Sequence, residues 1–431
     1  MSRGSFWRAA TGGLLLALAG AASGQTSEQV YRSALDAARA GDYPVAIAGF
    51  EQAKAAGLTH SRLFYNLAVS HYQLGNLHAA RQAFLRASRD PDLAALSHYN
   101  LGLLARARGE RSRTLYHFSL ARDYAQTEEL RRLAAEALAA VPARQPLLEW
   151  ELAGGYDRSF EVYDAVESVR QRRGAGFYSL WGYADHTMPL GDAHEYTVYL
   201  TATALDYPAA AEADFTYVDM GAELVLPHAA WDHVLSLAAY HSAFGGDTLE
   251  RALVLSAATS RDLDSRRRLR AEYSLSAIDG GSRYRYFDGL SHRLRLGLDS
   301  LSTPALSWGG NYDLLYNDRR DLADEYGVAS VSPVRHGVGA YIRYRIRERI
   351  VLDFGSEARF SRYRDRHRMV DGFSRRREDV FWRVNAEIDY RLLPGGWRSF
   401  LRLEWVENDS SLEQYRYGGP QVSAGIGWRF P

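Results

Sequence analysis

The 431-residue chain contains no cysteine. That excludes disulfides, thiolate metal sites and a cysteine nucleophile. Net charge is also absent, because 52 basic residues balance 52 acidic ones. A nucleic-acid-binding protein carries a basic excess, so no nucleic acid is expected among the partners. Enzyme signatures are missing: there is no Gly-x-Ser-x-Gly elbow, no P-loop and no His-Glu-x-x-His. Carboxylates such as Glu387 and Asp389 are same-face neighbours on one strand, and ion pairing explains them as well as acid–base chemistry would. His186, His194, His228 and His233 lie in or beside predicted turns and are the side chains from which a metal site would have to be assembled. The expectation is no enzyme, no cofactor, no catalytic residue and no metal.

Long apolar runs are equally scarce. The one near the N-terminus reads as an export signal. Arg3 and Arg8 charge its start, Leu14 to Leu18 form its centre, and Ala22-Ser23-Gly24 offers small residues for cleavage. Residues 1–24 are therefore expected to be a signal peptide, with the mature chain starting at Gln25. An uncleaved anchor is the alternative, but the run falls short of the ~20 residues that span a bilayer. No other segment is long enough for a spanning helix. Aromatic residues, by contrast, are plentiful: 28 tyrosines and 9 tryptophans, whose apolar rings and polar tips suit a membrane–water boundary.

Residues 26–140 are rich in alanine and leucine at helical spacing. A register of ~34 residues, the period of tetratricopeptide (TPR) units, runs through them. Gly41, Gly75 and Gly109 repeat in it, as do Phe50, Phe84 and Phe118, and Ala53, Ala87 and Ala121. Ala46 and Ala80 take the small position between paired helices, and Thr114 takes it in the third unit. Phe64-Tyr65-Asn66-Leu67-Ala68 and His98-Tyr99-Asn100-Leu101-Gly102 are expected to begin the first helices of units two and three. Asp42 with Pro44, and Asp90 with Pro91, suit helix starts. This resembles the TPR family over three units, with residues 127–140 as a capping helix and residues 25–141 as a periplasmic domain. TPR arrays present a groove to partners, and Tyr31, Tyr65 and Tyr99 are expected to line it. The array is then a docking platform, or else a plug or spacer.

Helical spacing stops at Pro142 and Pro146. From Leu148 onward, segments alternate apolar and polar side chains. Ile350, Leu352, Phe354, Ala358 and Phe360 share one face, with Asp353, Glu357, Arg359 and Ser361 on the other. Val380, Trp382, Val384, Ala386, Ile388 and Tyr390 likewise oppose Arg383, Asn385, Glu387, Asp389 and Arg391. Such alternation describes strands with a lipid face and a wet face. Fourteen strands are predicted: 147–157, 174–184, 194–205, 215–226, 232–243, 248–260, 266–278, 290–302, 306–317, 334–346, 349–361, 379–392, 396–408 and 420–430. Short links such as Pro227–Trp231, Ser302–Pro304 and Pro394-Gly395 largely alternate with long ones at 158–173, 318–333, 362–378 and 409–419. That asymmetry belongs to outer-membrane barrels, whose periplasmic turns are short. The fold class is thus an N-terminal α-solenoid followed by a transmembrane antiparallel β-barrel over 142–431, in the cell outer membrane with its helices in the periplasm.

The polar face carries both signs of charge. Arg343, Arg345, Asp353, Glu357, Arg359, Arg383, Glu387, Asp389, Arg402 and Glu404 are the candidate lumen charges, with Arg293, Arg295, Asp299 and Arg391 on the same faces. They either pair across strands in a hydrated lumen or line a path for cargo, because unpaired burial would be costly. Arg362-Tyr363-Arg364-Asp365-Arg366-His367-Arg368 and Arg375-Arg376-Arg377 make one predicted outer loop basic, facing solvent, anionic lipopolysaccharide or cargo. Outer-membrane lipid is a further expected partner.

The last strand places Val422, Ala424, Ile426, Trp428 and Phe430 on one face. It resembles the C-terminal signature read by the barrel-assembly machinery, with Pro431 added after the aromatic. The whole arrangement resembles the surface lipoprotein assembly modulator (Slam) family. The local match is Glu151-Leu152-Ala153-Gly154-Gly155-Tyr156-Asp157, similar to the family's Gly-Tyr-Asp opening, although Arg158 and Ser159 follow where the family carries a small polar residue and asparagine. The resemblance implies a periplasmic TPR domain that captures a client, a lipoprotein or small secreted protein, and a barrel that delivers it to the cell surface. Polysaccharide-export barrels with TPR units, for which the periplasmic partner is a polymer, and small-solute pores remain the alternatives.

Overall fold

The computed structural model describes residues 26–158, 161–162, 171–172, 174–324, 327–369, 373–392 and 395–430. The expected signal peptide and Pro431 lie outside the described residues. Among these residues, seven helices precede a closed barrel of fourteen strands. The chain forms two compact units, one ending at Leu93 and one beginning at Ala94.

The helices are α1 (Ser27–Arg39), α2 (Tyr43–Ala55), α3 (Ser61–Gln73), α4 (Leu77–Ala87), α5 (Pro91–Ala107), α6 (Arg111–Tyr124) and α7 (Glu128–Ala139). Their starts follow from side chains that satisfy the free N–H groups of a first turn. Thr26 accepts from the Gln29 amide while Gln29 accepts from the Thr26 amide at 2.8 Å, a reciprocal cap on α1. Asp42 caps α2, with Pro44 inside the first turn. α5 starts at Pro91, the helix start that Asp90 and Pro91 suggest and two turns ahead of the His98 segment, with Asp90 accepting the Asp92 amide at 3.0 Å.

The repeat register is a packing register. Ala46, Phe50 and Ala53 are fully buried, as are Ala80, Phe84 and Ala87 and, in the third pair, Thr114, Phe118 and Ala121. Gly41, Gly75 and Gly109 all turn the chain at positive φ, between 71° and 80°. That left-handed conformation costs other residues about 1–2 kcal/mol, so glycine recurs there. Gly102 serves a different end: a Cβ on it would lie 2.5 Å from the Phe118 ring.

The barrel strands are β1 (Leu147–Asp157), β2 (Ala175–Leu190), β3 (His194–Asp206), β4 (Phe215–His228), β5 (Trp231–Phe244), β6 (Asp247–Asp262), β7 (Arg267–Gly280), β8 (Gly289–Thr303), β9 (Leu306–Arg319), β10 (Pro333–Arg347), β11 (Ile350–Met369), β12 (Ser374–Leu392), β13 (Trp397–Ser410) and β14 (Tyr417–Phe430). Each pairs antiparallel with its chain neighbour. β14 closes on β1, from Leu148 opposite Phe430 to Asp157 opposite Gln421. Both barrel termini therefore lie at one end, which is also the end of the tight links Gly191–Ala193, Ala229–Ala230 and Glu348–Arg349.

At the other end the links are longer, with two exceptions. Gly245-Gly246 alone joins β5 to β6. The predicted 362–378 loop is largely strand, since β11 runs to Met369 and β12 begins at Ser374. The arginine run hides the period-2 pattern there, yet the pairing continues with Arg366 opposite Arg376 and Arg368 opposite Ser374.

Outside, the wall is apolar: Leu237, Leu253, Leu255, Val338, Phe354, Val384 and Ile388 all stand exposed. A continuous band of this kind is stable against hydrocarbon, and it makes the barrel one of the outer-membrane kind. Trp150, Trp397 and Trp428 cluster at the short-turn end, with ring centroids 5.5 and 6.4 Å apart in successive pairs. They provide an interfacial anchor. Ile388 sits on this outer face between Trp382 and Tyr390, whereas Asn385 points into the lumen cavity. Ile388→Arg should cost about 2–4 kcal/mol of stability in the bilayer, whereas Asn385→Arg should be tolerated. The heat-modifiable fraction of each variant in isolated outer membranes measures this, and equal losses would mean that the two faces are misassigned.

Candidate functional site

The lumen face of β10 to β14 and β1 carries a ladder of ion pairs. Arg343 donates to Asp353 at 2.6 Å. Arg359 and Arg383 both donate to Glu357, at 2.5 and 2.7 Å, and Arg383 lies 3.9 Å from Glu404. Arg402 donates to Glu387 at 2.5 Å. Arg398 binds Glu151, and also Asp389 at 2.5 Å and Glu387 at 3.4 Å, so it ties β13 to β1 and β12. Nine of the ten lumen charges expected from sequence thus take part in ion pairs, in three groups. The tenth, Arg345, is exposed beside a tight turn and pairs with no described carboxylate.

Further round the wall, Arg293 and Arg295 share Asp313, and Arg270 meets Asp299 at 2.7 Å. These groups enclose a cavity of 610 Å³ with Asp232 on its border. Asp353, Glu387 and Asp389 offer oxygens within 4.8 Å of one another. Each is already neutralised by Arg343, Arg398 or Arg402, so the trio is a set of ion-pair acceptors. Among the described residues, the four turn histidines do not join a three-ligand group.

The Gly-Tyr-Asp segment of β1 follows from packing. A Cβ on Gly155 would lie 2.3 Å from the Val422 carbonyl oxygen, so the close approach of β14 needs glycine. Tyr156 faces outward, while Asp157 is buried and accepts from the Tyr207 hydroxyl at 3.3 Å.

At the short-turn mouth the second unit holds a feature that sequence reading missed. The first turn of α6 and the turn before it are seated on barrel carboxylates. Arg111 donates to Glu195 at 2.6 Å, and Ser112 lies 3.4 Å from the same carboxylate. Arg113, only 4% exposed, donates to Asp232 at 2.6 Å and lies 3.4 Å from Asp262. Arg108 reaches Asp262 at 3.2 Å, and Arg122 reaches Asp192 at 2.7 Å. Burial works against the Arg113 charge, but Asp232, Glu110 and Asp262 together outweigh it and hold its pKa above the ordinary value. The N-terminal dipole of α6 adds to the attraction. One signal was visible: Arg108, Arg111 and Arg113 crowd the start of the third pair's second helix, where the other pairs carry none.

The three repeat tyrosines share one role. Tyr31 packs on Phe50, Tyr65 on Phe84 and Tyr99 on Phe118, at 5.6–5.7 Å between centroids. In the first unit Tyr31 also borders a recess of 850 Å³ with Glu28, Arg39, His60, Arg62 and Asn66. Its hydroxyl accepts from Asn66 at 2.9 Å, and burial raises its pKa. Tyr65 and Tyr99 lie outside this recess.

No protein-family model and no curated protein matches the sequence. Among solved structures, the chain is similar to the outer membrane protein OpdK of Pseudomonas aeruginosa, at 7% identity and a TM-score of 0.34 over 67% of this chain and 100% of that one. It is similar to a bacterial polysaccharide outer membrane secretin at 10% identity and a TM-score of 0.32, covering 66% and 98% of the two chains. The helices are similar to SycD, a type III secretion chaperone of Yersinia enterocolitica, at 19% identity and a TM-score of 0.24, covering 26% and 90%.

Two outcomes follow. Arg398→Ala removes the partner of Asp389 and leaves Glu151 with only the longer Arg402 contact at 3.7 Å, and should cost about 1–3 kcal/mol, whereas Arg345→Ala should be neutral. Urea unfolding in detergent micelles checks the pair. The second concerns His98, whose Nδ1 lies 3.2 Å from that of His117 between α5 and α6, with burial lowering its pKa from 6.5 to about 4. The unfolded state therefore takes the proton first. This contribution to stability is complete above pH 6.5 and is lost as pH falls towards 4. Protease protection of α5 and α6 should drop across that window, and His98→Gln should flatten the drop.

Proposed function

We propose that this chain is an outer-membrane export protein. Its helical repeats take up a client in the periplasm, a lipoprotein or small secreted protein, and its barrel delivers that client to the cell surface. The observation that supports this reading is the seat of α6 on Glu195, Asp232 and Asp262. Through it, α6 is fixed at the pore mouth, and a client held on the repeats linked to it in the chain is kept at a raised effective concentration for the pore. The barrel end with both termini and the tight turns is the periplasmic one. The Tyr31 recess is the place for an aromatic or apolar anchor of the client, rimmed by charges of both signs.

The same seat supports a closed resting pore. Asp232 borders the lumen cavity and also holds Arg113, so α6 rests where cargo enters. The pairing is buried, and removing one partner of such a pair typically costs about 3–5 kcal/mol. Arg113→Glu should therefore unseat the helix. The expected result is raised ion conductance of the purified protein in planar bilayers, and less client on intact cells at an unchanged amount of barrel. Adding Asp232→Arg should return both readouts part-way. Normal client display with Arg113→Glu, or with residues 26–140 deleted, would reduce the helices to a spacer. Failure of polymer secretion instead of protein display in the deletion strain would put exopolysaccharide export in place of this reading.

A further inference from the structure

The β11–β12 hairpin carries five exposed outer-face arginines, of which three meet no carboxylate among the described residues. Its residues alternate in facing. Tyr363 and His367 are buried on the inner side, while Arg362, Arg364, Arg366 and Arg368 are exposed on the outer side. Across the hairpin, Arg376 is directly opposite Arg366 and shares that outer face. Below them, the same face continues as Phe360, Val380 and Trp382, the apolar wall of the barrel. The column thus passes from hydrocarbon contact to guanidinium groups along one surface.

The partners divide the set. Arg362 lies 3.3 Å from Glu378, and Arg364 2.6 Å from Asp318. Arg366, Arg368 and Arg376 pair with no carboxylate among the described residues. Like charges directly opposite on a strand pair destabilise it unless an anion lies between them. The hairpin is nonetheless held in place. Arg377, on its inner side, stacks on Tyr415 at 3.4 Å and on Tyr363 at 4.4 Å while pairing with Asp379. A short strand, Gly327–Ala329, pairs with the end of β11.

We propose that this outer face binds the phosphate groups of the outer leaflet's glycolipid, with Arg366 and Arg376 clasping one phosphate and Arg368 reaching a neighbour. The inference rests on the reading that the long-loop end faces outward. Three features favour a lipid-borne anion over a passing cargo: the arginines face away from the lumen, they continue the lipid-facing wall, and guanidinium groups match phosphate oxygens in a fork. A phosphate between opposed arginines also removes their repulsion, so the lipid would brace the hairpin.

The test uses the full-length protein in detergent, incubated with lipopolysaccharide or with the same material after phosphatase treatment. Glycolipid retained per barrel after washing is the readout, with heat-modifiable migration as the check on folding. The wild type should retain the phosphorylated lipid and largely lose the treated one. The combined Arg366→Gln, Arg368→Gln and Arg376→Gln variant should retain about tenfold less, whereas Arg364→Gln should behave as wild type. Equal retention by the triple variant, or equal retention of the treated lipid by the wild type, overturns the proposal. The phosphatase comparison decides the matter even if the triple variant fails to assemble. Displacement of the lipid by an acidic client peptide at matched concentration would assign the arginines to cargo. None of these measurements depends on client display, so export can fail as a reading while this binding stands.

Discussion

A strand in hydrocarbon has no water to satisfy its amides, so every N–H and C=O must find another strand. That constraint makes β14 return to β1, and the rest of the barrel follows from it. Closure fixes an even strand count, which brings both ends of the sheet to one mouth. It also fixes which side of each strand meets lipid. Once Leu237, Val338 and Ile388 face outward, the alternate positions face inward whatever their charge. The lumen must then neutralise what the pleat delivers. Arg398 shows the solution, with one guanidinium on β13 serving Glu151 of β1 and Glu387 and Asp389 of β12.

The helices solve a different problem with smaller parts. Ala46, Phe50 and Ala53 recur one repeat later as Ala80, Phe84 and Ala87, because two helices at close range need the same small and large positions each time. The third pair departs from the scheme in two places. Thr114 replaces alanine, with its hydroxyl donating to the Glu110 carbonyl at 2.9 Å, and α6 opens with arginines. Both departures fall on the helix that meets barrel carboxylates. The buried Arg113 serves carboxylates of the barrel, Asp232 and Asp262, as well as Glu110 of its own unit.

Much of this was legible because the two halves obey different periods. The fourteen predicted strands coincide with observed ones to within a few residues at most ends, since an outer face in lipid tolerates no polar interruption. Legibility fails where that pressure ends. Above the bilayer, Arg362 to Arg368 keep the strand pairing but lose the apolar alternation that would reveal it, so the segment reads as a loop. The α6 seat was hidden for another reason. Arg111 is separated from Glu195 by 84 residues and Arg113 from Asp262 by 149, and no periodicity links a helix to a turn at such range. Arg398 was hidden by Phe400, which interrupts the charges on the lumen face of β13.

Asp232 joins the two halves of this reasoning. It begins β5 at a tight turn, borders the lumen cavity and accepts from a nearly buried guanidinium on α6. Desolvating two charges is repaid only when their geometry is good and their remaining valences are met. Here Glu110 and Asp262 supply further contacts to Arg113, although its Nη2 stays without a partner among the described residues, and Arg108 and Arg268 supply them to Asp262. Such a network holds firmly while complete and weakens as a whole when one member leaves. An interface built of apolar side chains would bind the helix without that all-or-none character. The hold of α6 on the barrel thus depends on several charged partners being present together, whereas a hydrophobic seat of the same size would lose its contacts one at a time.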